Sequence, residues 1–494
     1  MARALMEARM PPVGADTRVA VVLAGGIGSR LWPLSNGEEP KQLARALASP
    51  SLLQRTVARL RRCASLPGHD TPMLVVCGAA HAQLTSEQLD EAAPGQWELL
   101  LEPVRRNTAP ALTAAALWAA RRYGDPIMIV SPADHHIDDE PALQASIAQS
   151  CRLASAGKAV SLGVDPRHPE TGYGYIEIGE SADEHGARVM RAFREKPDRA
   201  TAAGYVEDGR HFWNTGILIL RASLWLSLVG QYEPAILAAC EAALPSLPKE
   251  SVRHALDARA FGASPTRSID HGVMERLPAR MPHLPVVVPL RSAWSDLGSW
   301  DALWRVAGHD GRGNASRGEV ALRDVEDSLV YAHTRQVVCL GLKDIVVVET
   351  AQAVLVAERG RAQELGQFAQ GEAVAERAGD TQGGAVRPWG RYEVLSESTG
   401  YRVKRLFVEP GHSLSLQRHR HRSEHWMVLR GQAQVTLDGR IFTLAPGGSV
   451  SIPEGALHRL ANAGSACLEV LETQLGDHCD ERDIERVADR YGRA

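Results

Sequence analysis

The sequence predicts an α/β chain in three parts: an N-terminal domain with a mostly parallel sheet covered by helices, a small all-β extension, and a C-terminal antiparallel barrel. Three observations predict it. From Arg18, short β-branched runs alternate with longer stretches of helical spacing, the pattern of strands and crossover helices. After about Leu303 the helical spacing stops, and short β-like runs recur at near-regular intervals between Gly318 and Val356. From Arg387 onward, strand-like runs are parted by turn signals such as Asp438-Gly439 and Pro446-Gly447-Gly448.

The elements follow in order. Val19 to Leu23 is a buried strand that closes on Gly25-Gly26, Leu52 to Cys63 has helical spacing, and Met73 to Cys77 is the next strand. The Ala-rich stretch Pro110 to Tyr123 is a helix, and Ile127 to Val130 a strand. Val337 to Leu340, Ile345 to Val348 and Ala353 to Val356 form a helical stack of short strands, like a left-handed β-helix. Residues 359–386 are polar and rich in Ala, Gly, Gln and Glu, which marks a linker. The expected layout is a disordered tail over 1–17, an α/β domain over 18–305, the β extension over 306–358, the linker, and a barrel over 387–494.

Bulk properties exclude several classes. A chain of 494 residues is long enough for two or three cores, and its 44% hydrophobic and 23% charged residues are globular values. A net charge of −4 argues against a surface built on a nucleic-acid backbone, while leaving room for local basic pockets for small anions. The seven cysteines are scattered and never spaced as CxxC, which disfavours a disulfide framework and a zinc knot and fits a reducing compartment. Residues 1–17 lack the apolar run of a signal peptide, and no stretch approaches the roughly 20 apolar residues of a membrane helix. A cytoplasmic protein with no membrane partner is expected.

The first chemical signal is AGGIGSRLWPL. It places Gly25, Gly26 and Gly28 directly after a strand, where backbone N–H groups can turn toward a phosphate, and Arg30 adds a fixed cation. Pro40-Lys41-Gln42 then returns a second cation to the same loop. Further along stand LEPVRRNTAPAL (101–112), SPADHHI (131–137), PETGYGYI (169–176), FREKPD (193–198), WNTGI (213–217), SIDHGVMER (268–276) and WSDLGSW (294–300). Taken together and in this order, these motifs resemble those of bacterial mannose-1-phosphate guanylyltransferases, enzymes with a Rossmann-like nucleotidyltransferase domain.

That resemblance implies GTP and mannose 1-phosphate as substrates and GDP-mannose and pyrophosphate as products. The sugar phosphate oxygen attacks the α-phosphorus, so the site must align two anions and absorb growing negative charge. Arg30 and Lys41 are the catalytic candidates for that task, with Gly25, Gly26 and Gly28 on the phosphates. By resemblance, Arg105, Asn107 and Thr108, beside Arg106, belong to the base-recognition loop. Tyr173, Gly174, Glu195, Lys196 and Asn214 form the sugar-phosphate clamp, Gly172 lending a backbone amide beside Tyr173. Asp134, just past a strand, and Asp296 are paired as ligands of Mg²⁺, a hard cation that prefers carboxylate oxygens.

The barrel carries its own pattern. Gly411, Gln417, His419, Glu424 and Gly431 fall on the first cupin motif with Gln in place of its first His; Gly447, Pro453, Gly455, His458 and Asn462 fall on the second. Gln417 and His419 are two apart on a strand and face one side, and Glu424 and His458 can return to them from neighbouring strands. The mixed nitrogen and oxygen set of Gln417, His419, Glu424 and His458 suits Zn²⁺ or another divalent transition metal. RPWGRYEVL, SLQRHRHRSEHWMVLRG, IPEGALHRL and DIERVADRYGR resemble the isomerase half of bifunctional mannose-6-phosphate isomerase/guanylyltransferases. This implies mannose 6-phosphate and fructose 6-phosphate as further substrates, with Arg422 and Arg486 as candidates for phosphate or proton contacts, and it allows a homodimer. Two alternatives stay open at this level: a guanylyltransferase whose barrel is structural or regulatory, and a nucleotidyltransferase for another base or sugar.

Overall fold

The computed structural model describes residues 17–26, 28, 31–35, 39–45, 47–64, 71–246, 251–351, 353–365, 384–479, 483–489 and 491. Residues 1–16 of the expected tail, Arg30 and most of the expected linker lie outside them. The chain forms two compact units, one reaching Glu349 and including Leu355–Gly366, the other formed from residue 367 onward with Thr350–Val354.

The first unit is built on a ten-stranded sheet. Its strands are β1 (Arg18–Leu23), β2 (Met73–Gly78), β3 (Trp97–Glu102), β4 (Ile127–Pro132), β6 (Ala159–Val164), β7 (Gly174–Ser181), β8 (Arg188–Glu195), β9 (His211–Arg221), β10 (Arg253–Ala255) and β11 (Pro285–Pro289), with the two-residue ribbon of β5 (His136–Ile137) and β12 (Trp294–Ser295) beside it. The order is β10-β3-β2-β1-β4-β9-β6-β11-β8-β7. Only β8 and β9 run against the rest, since each is antiparallel to its sheet neighbours while β1 to β4, β10 and the β6–β11 pair are mutually parallel. The sheet is therefore mostly parallel, as the alternation predicts.

β1 to β4 are apolar on both faces because helices cover both. Helices α1 (Leu52–Ala64) and α4 (Glu140–Ser155) pack with Val22, Val75 and Ile129 on one face. On the other face α3 (Thr108–Tyr123) packs with Val21, Val76 and Val130, while α2 (Ala82–Ala92) contributes Leu89 to the first layer. β1 is the switch point of the sheet, with β2 on one side and β4 on the other, so the chain leaving the carboxyl end of β1 lies where ligands bind in such sheets.

The β extension is a stack of parallel rungs, β13 (Ala315–Arg317), β14 (Val320–Arg323), β15 (Leu329–Ala332), β16 (Val337–Leu340) and β17 (Ile345–Glu349), with β18 (Val354–Glu358) paired to β17. Ala315, Leu329 and Val346 lie in one column, Val320 and Val337 in another. Glu349 closes the stack. One of its carboxylate oxygens accepts the backbone N–H groups of His333, Thr334 and Arg335 at 3.0, 2.8 and 3.0 Å, and the other accepts Arg335 Nη1 at 2.9 Å.

Burial pushes this carboxyl up, but the bonds from Thr334, Arg335 and His333 outweigh it and bring it down to about 2. Glu349 thus favours the fold fully above about pH 4.5, its ordinary value, and loses that contribution as pH falls toward about 2. Replacing Glu349 by Gln removes the charge and turns an N–H group on donors, which costs about 1.5–3 kcal/mol. The expected result is a lower Tm at pH 7 for Glu349→Gln, with a gap to the unaltered protein that closes on acidification. Equal melting curves at pH 7 would refute this role.

The second unit is a two-sheet barrel. One sheet runs β19 (Ala385–Arg387), β20 (Gly390–Ser398), β21 (Tyr401–Val408), β28 (Leu468–Gly476), β23 (Arg422–Arg430) and β26 (Ser449–Ile452). The other runs β25 (Arg440–Leu444), β24 (Ala433–Leu437), β27 (His458–Asn462), β22 (Leu416–Arg418) and β29 (Glu485–Ala488). Trp426, Val428, Val435, Leu460 and Val470 fill one end of the space between the sheets, and polar side chains occupy the other.

Candidate functional sites

In the first unit, Gln42 laces the Pro40-Lys41-Gln42 segment to the glycine loop. Its amide nitrogen donates to the carbonyls of Ala24 at 2.7 Å and Gly26 at 2.9 Å. Gly28 has a φ of +69°, and a Cβ there would collide with the Cβ of Lys41. Only glycine combines that backbone with that approach. Gly28→Ala should therefore displace Lys41 at a stability cost of about 1–2 kcal/mol; a lower Tm for the variant is the expected result, and an unaltered melting curve would refute the contact.

Lys41 is buried, and its ammonium joins the two acidic loops. Nζ lies 2.7 Å from Asp134 Oδ2, donates to the backbone carbonyl of Asp296 at 2.7 Å, and sits 3.4 Å from that of Leu297. The pairing of Trp294 with Ile137 and of Ser295 with His136 draws the loops together. Burial raises the Asp134 carboxyl, but the charge of Lys41 and its hydrogen bond help hold it below its ordinary range. His135 itself is pushed down to about 4 by burial and stays neutral at pH 7. Asp296 Oδ1 accepts the Tyr173 hydroxyl at 3.1 Å and the Gly298 N–H at 2.8 Å, while its Oδ2 has no hydrogen-bond partner among the described residues.

From Tyr173 the contacts continue into the expected sugar segment. Its ring meets those of Trp213 and Trp294 edge-on at 5.2 and 4.9 Å. Glu195 lies against Gly174, where an added Cβ would come within 2.6 Å of Oε2, and it pairs with Lys196 Nζ at 3.0 Å. Asn214 donates to Asp270 Oδ1 at 3.2 Å and accepts the Gly216 N–H at 3.1 Å. Lys41, Asp134, Asp296, Tyr173, Gly174, Glu195, Lys196 and Asn214 thus line one continuous run of contacts. In the expected base loop, Asn107 caps its own helix through the Thr108 N–H, and the Thr108 hydroxyl accepts the Ile269 N–H at 2.9 Å. Arg105 is exposed.

Residue-by-residue reasoning missed two carboxylates here. Glu102, the last residue of β3, is buried against the glycine loop: a Cβ on Gly25 would stand 2.8 Å from its Oε2, and its Oε1 has no hydrogen-bond partner. Burial pushes it up to about 7. Asp270 sits in a π-helical turn, Asp270–Met274, and burial, then the Glu195 charge, raise it to about 7. Both lie inside recognised motifs, which was the available signal.

In the barrel, His419 Nε2 lies 3.0 Å from Glu424 Oε1, and His458 Nε2 lies 3.6 Å from Glu424 Oε2. One ligand atom from each of these buried residues lies within 4.8 Å of the others. Gln417 pairs with His458 across β22 and β27, whereas Glu424 arrives from the facing sheet. Each imidazole turns Nδ1 to a backbone carbonyl, His419 to Asp483 at 3.1 Å and His458 to Ala456 at 2.9 Å. A carbonyl only accepts, so Nδ1 carries the proton and both Nε2 lone pairs face the carboxylate. Three converging acceptors call for a cation. Burial raises Glu424, but the Arg422 guanidinium, which donates to it, helps hold the carboxyl below its usual range.

Arg422 is fully buried, donates from Nε to Glu424 Oε1 at 3.1 Å, and lies 3.3 Å from His419 Nε2. Gln417 takes the Ser415 hydroxyl on its oxygen at 2.8 Å and turns its nitrogen to His419, so a half-turn of the amide is needed to aim the oxygen inward. Arg486 lines the same cavity, as do Lys404, Glu472 and Gln474, which the sequence reading did not single out.

Among the described residues no helix is long and apolar enough to cross a membrane. Residues 19–312 match the nucleotidyl transferase family, 318–368 the MannoseP isomerase/GMP-like beta-helix domain, and 376–489 the mannose-6-phosphate isomerase C-terminal family. The chain is 42% identical over 474 residues to the xanthan biosynthesis protein XanB of Xanthomonas campestris, covering 96% of this chain and 98% of the relative. It is 42% identical over 482 residues to a mannose-1-phosphate guanylyltransferase of Escherichia coli K12, with coverage of 96% and 98%. To the alginate biosynthesis protein AlgA of Pseudomonas aeruginosa it is 38% identical over 478 residues, with coverage of 96% and 97%. A solved structure from Thermus thermophilus, described as a mannose-1-phosphate geranyltransferase, superposes with a TM-score of 0.61 at 30% identity, covering 72% of this chain and 98% of that one. With each of its three parts matched and its length shared end to end, the chain belongs to the family of mannose-1-phosphate guanylyltransferases that carry a mannose-6-phosphate isomerase C-terminal domain.

Proposed function

We propose that the first unit transfers a guanylyl group from GTP to mannose 1-phosphate, releasing pyrophosphate and GDP-mannose. The observation that carries this reading is the buried ammonium of Lys41, which ties Asp134 and the Asp296 loop to a glycine turn at the sheet's switch point. The glycine backbone offers N–H groups to the triphosphate, and Lys41 and Arg30 supply positive charge to the phosphates in the transition state. Asp134 and Asp296 would hold Mg²⁺, which would neutralise phosphate oxygens. Glu195, Lys196 and Asn214 hold the sugar phosphate, and Tyr173 fixes Asp296. Release of pyrophosphate from GTP with mannose 1-phosphate, set against UTP, dTTP and other sugar phosphates, tests it.

Guanine selection falls to Glu102 in this reading. Guanine presents two adjacent donors, N1–H and the N2 amino group, and the Glu102 carboxylate, with Oε2 against Gly25 and Oε1 unpartnered, suits them. Glu102→Gln should cut the preference for GTP over ATP by about 10–100-fold, as read from kcat/KM with each nucleotide. An unchanged ratio would place base recognition elsewhere.

The barrel, in the same reading, interconverts mannose 6-phosphate and fructose 6-phosphate. Its donors fit a divalent transition metal such as Zn²⁺, held by His419, Glu424 and His458 with Gln417 beside them, which would polarise the sugar's oxygens. Arg422 and Arg486 supply cationic contacts in the cavity.

A further inference from the structure

The barrel interior holds a second buried charge pair that the metal donors do not account for. Glu472 on β28 faces Lys404 on β21 and Trp426 on β23 in one cross-strand row. Lys404 Nζ lies 3.8 Å from Glu472 Oε1 and 4.8 Å from the centre of the Tyr392 ring, and both charged residues are buried. A buried lysine–glutamate pair costs desolvation that well-packed apolar residues would avoid. Its position suggests what it serves.

In the next inward row of the same sheet, Gln474 stands opposite Glu424. The Gln474 amide nitrogen bridges the two carboxylates, 3.1 Å from Glu424 Oε1 and 2.9 Å from Glu472 Oε1. Trp426 Nε1 bridges their other oxygens at 3.2 and 3.1 Å. Lys404 and Glu472 line the cavity that also contains Gln417, Arg422 and Glu424. Glu472 is thereby fixed one row from the metal-donor carboxylate without being aimed among the imidazoles.

We infer that Glu472 is the carbon base of the isomerisation and Lys404 its partner acid at the sugar oxygens. The inference rests on the isomerase reading of the barrel. In open-chain mannose 6-phosphate, Glu472 takes the proton from C2 and the C2–H electrons form the C1–C2 double bond. The carbonyl electrons move to O1, which accepts a proton from the Lys404 ammonium. The O2 hydroxyl then returns a proton to the Lys404 amine, the C2–O double bond forms, and C1 recovers the proton from Glu472. Fructose 6-phosphate results with both side chains restored, and no electrons enter or leave.

The test uses the full chain loaded with zinc, mannose 6-phosphate as substrate, and D₂O as solvent. Glu472→Gln keeps the shape and the Trp426 contact while removing the base. It should lower kcat by about 10²–10⁴-fold and abolish deuterium incorporation into the sugar, with bound zinc and KM nearly unchanged. Lys404→Met should lower kcat by at least about 100-fold, again with zinc retained. If Glu472→Gln does not fold, Glu472→Asp, which withdraws the carboxylate by one methylene, should give the same loss of kcat with zinc retained. Deuterium incorporation at the unaltered rate in the Glu472 variants, or loss of activity that tracks loss of zinc, would overturn the assignment while leaving an isomerase. An unaltered chain that fails to isomerise would overturn the underlying reading, and this inference with it.

Discussion

Lys41→Ala lowers pyrophosphate release from GTP and mannose 1-phosphate by about 10³-fold, which corresponds to about 4 kcal/mol of transition-state stabilisation. Two losses combine in this variant. A buried cation disappears from a site that must absorb growing negative charge, and the tie between Asp134 and the Asp296 loop is cut, since both bonds end on the same Nζ at 2.7 Å. The loops remain joined by the β5–β12 ribbon, so the fold should persist with a stability loss of about 1–3 kcal/mol. Circular dichroism and a melting curve establish that the variant is folded, and the turnover assay then reads the chemistry. Folded Lys41→Ala working within a few-fold of the unaltered chain would place the transfer chemistry elsewhere.

Removal of an imidazole from the barrel has an effect of similar size on the other activity. His458→Ala takes away one of two nitrogen lone pairs and leaves Glu424 with a single imidazole neighbour; His419→Ala does the converse. The affinity for a divalent ion should fall by more than the roughly 10–100-fold that loss of an outer hydrogen-bond partner costs. Isomerisation should fall with it. Metal content after dialysis, beside an assay of mannose 6-phosphate conversion with and without chelator, reads both. A barrel that holds no metal when native, or a His419→Ala variant that isomerises at the full rate, would defeat the proposal.

Much of this was legible in the residues. The alternation of β-branched and helical runs reports which faces are covered by helices, and the main sheet is parallel apart from β8 and β9. Parallel and antiparallel central strands bury the same kinds of side chain, so nothing in His211–Arg221 signals its reversed direction. The glycine loop was legible because Gly28 meets a requirement no other residue can meet.

The sequence by itself determined the order of the parts, the two cupin motifs and the chemical types gathered for each site, because side-chain periodicity and glycine conformation are local properties of the chain. Only the tertiary structure decided which groups meet. Asp134 and the Asp296 backbone meet at Lys41 because a two-residue ribbon joins distant loops, and Glu424 enters from the facing sheet and not from a neighbouring strand. Glu102, Lys404 and Glu472 look like ordinary alternating strand residues until burial separates them from water, because a charge acquires a function from what surrounds it and that is set by pairing across the fold.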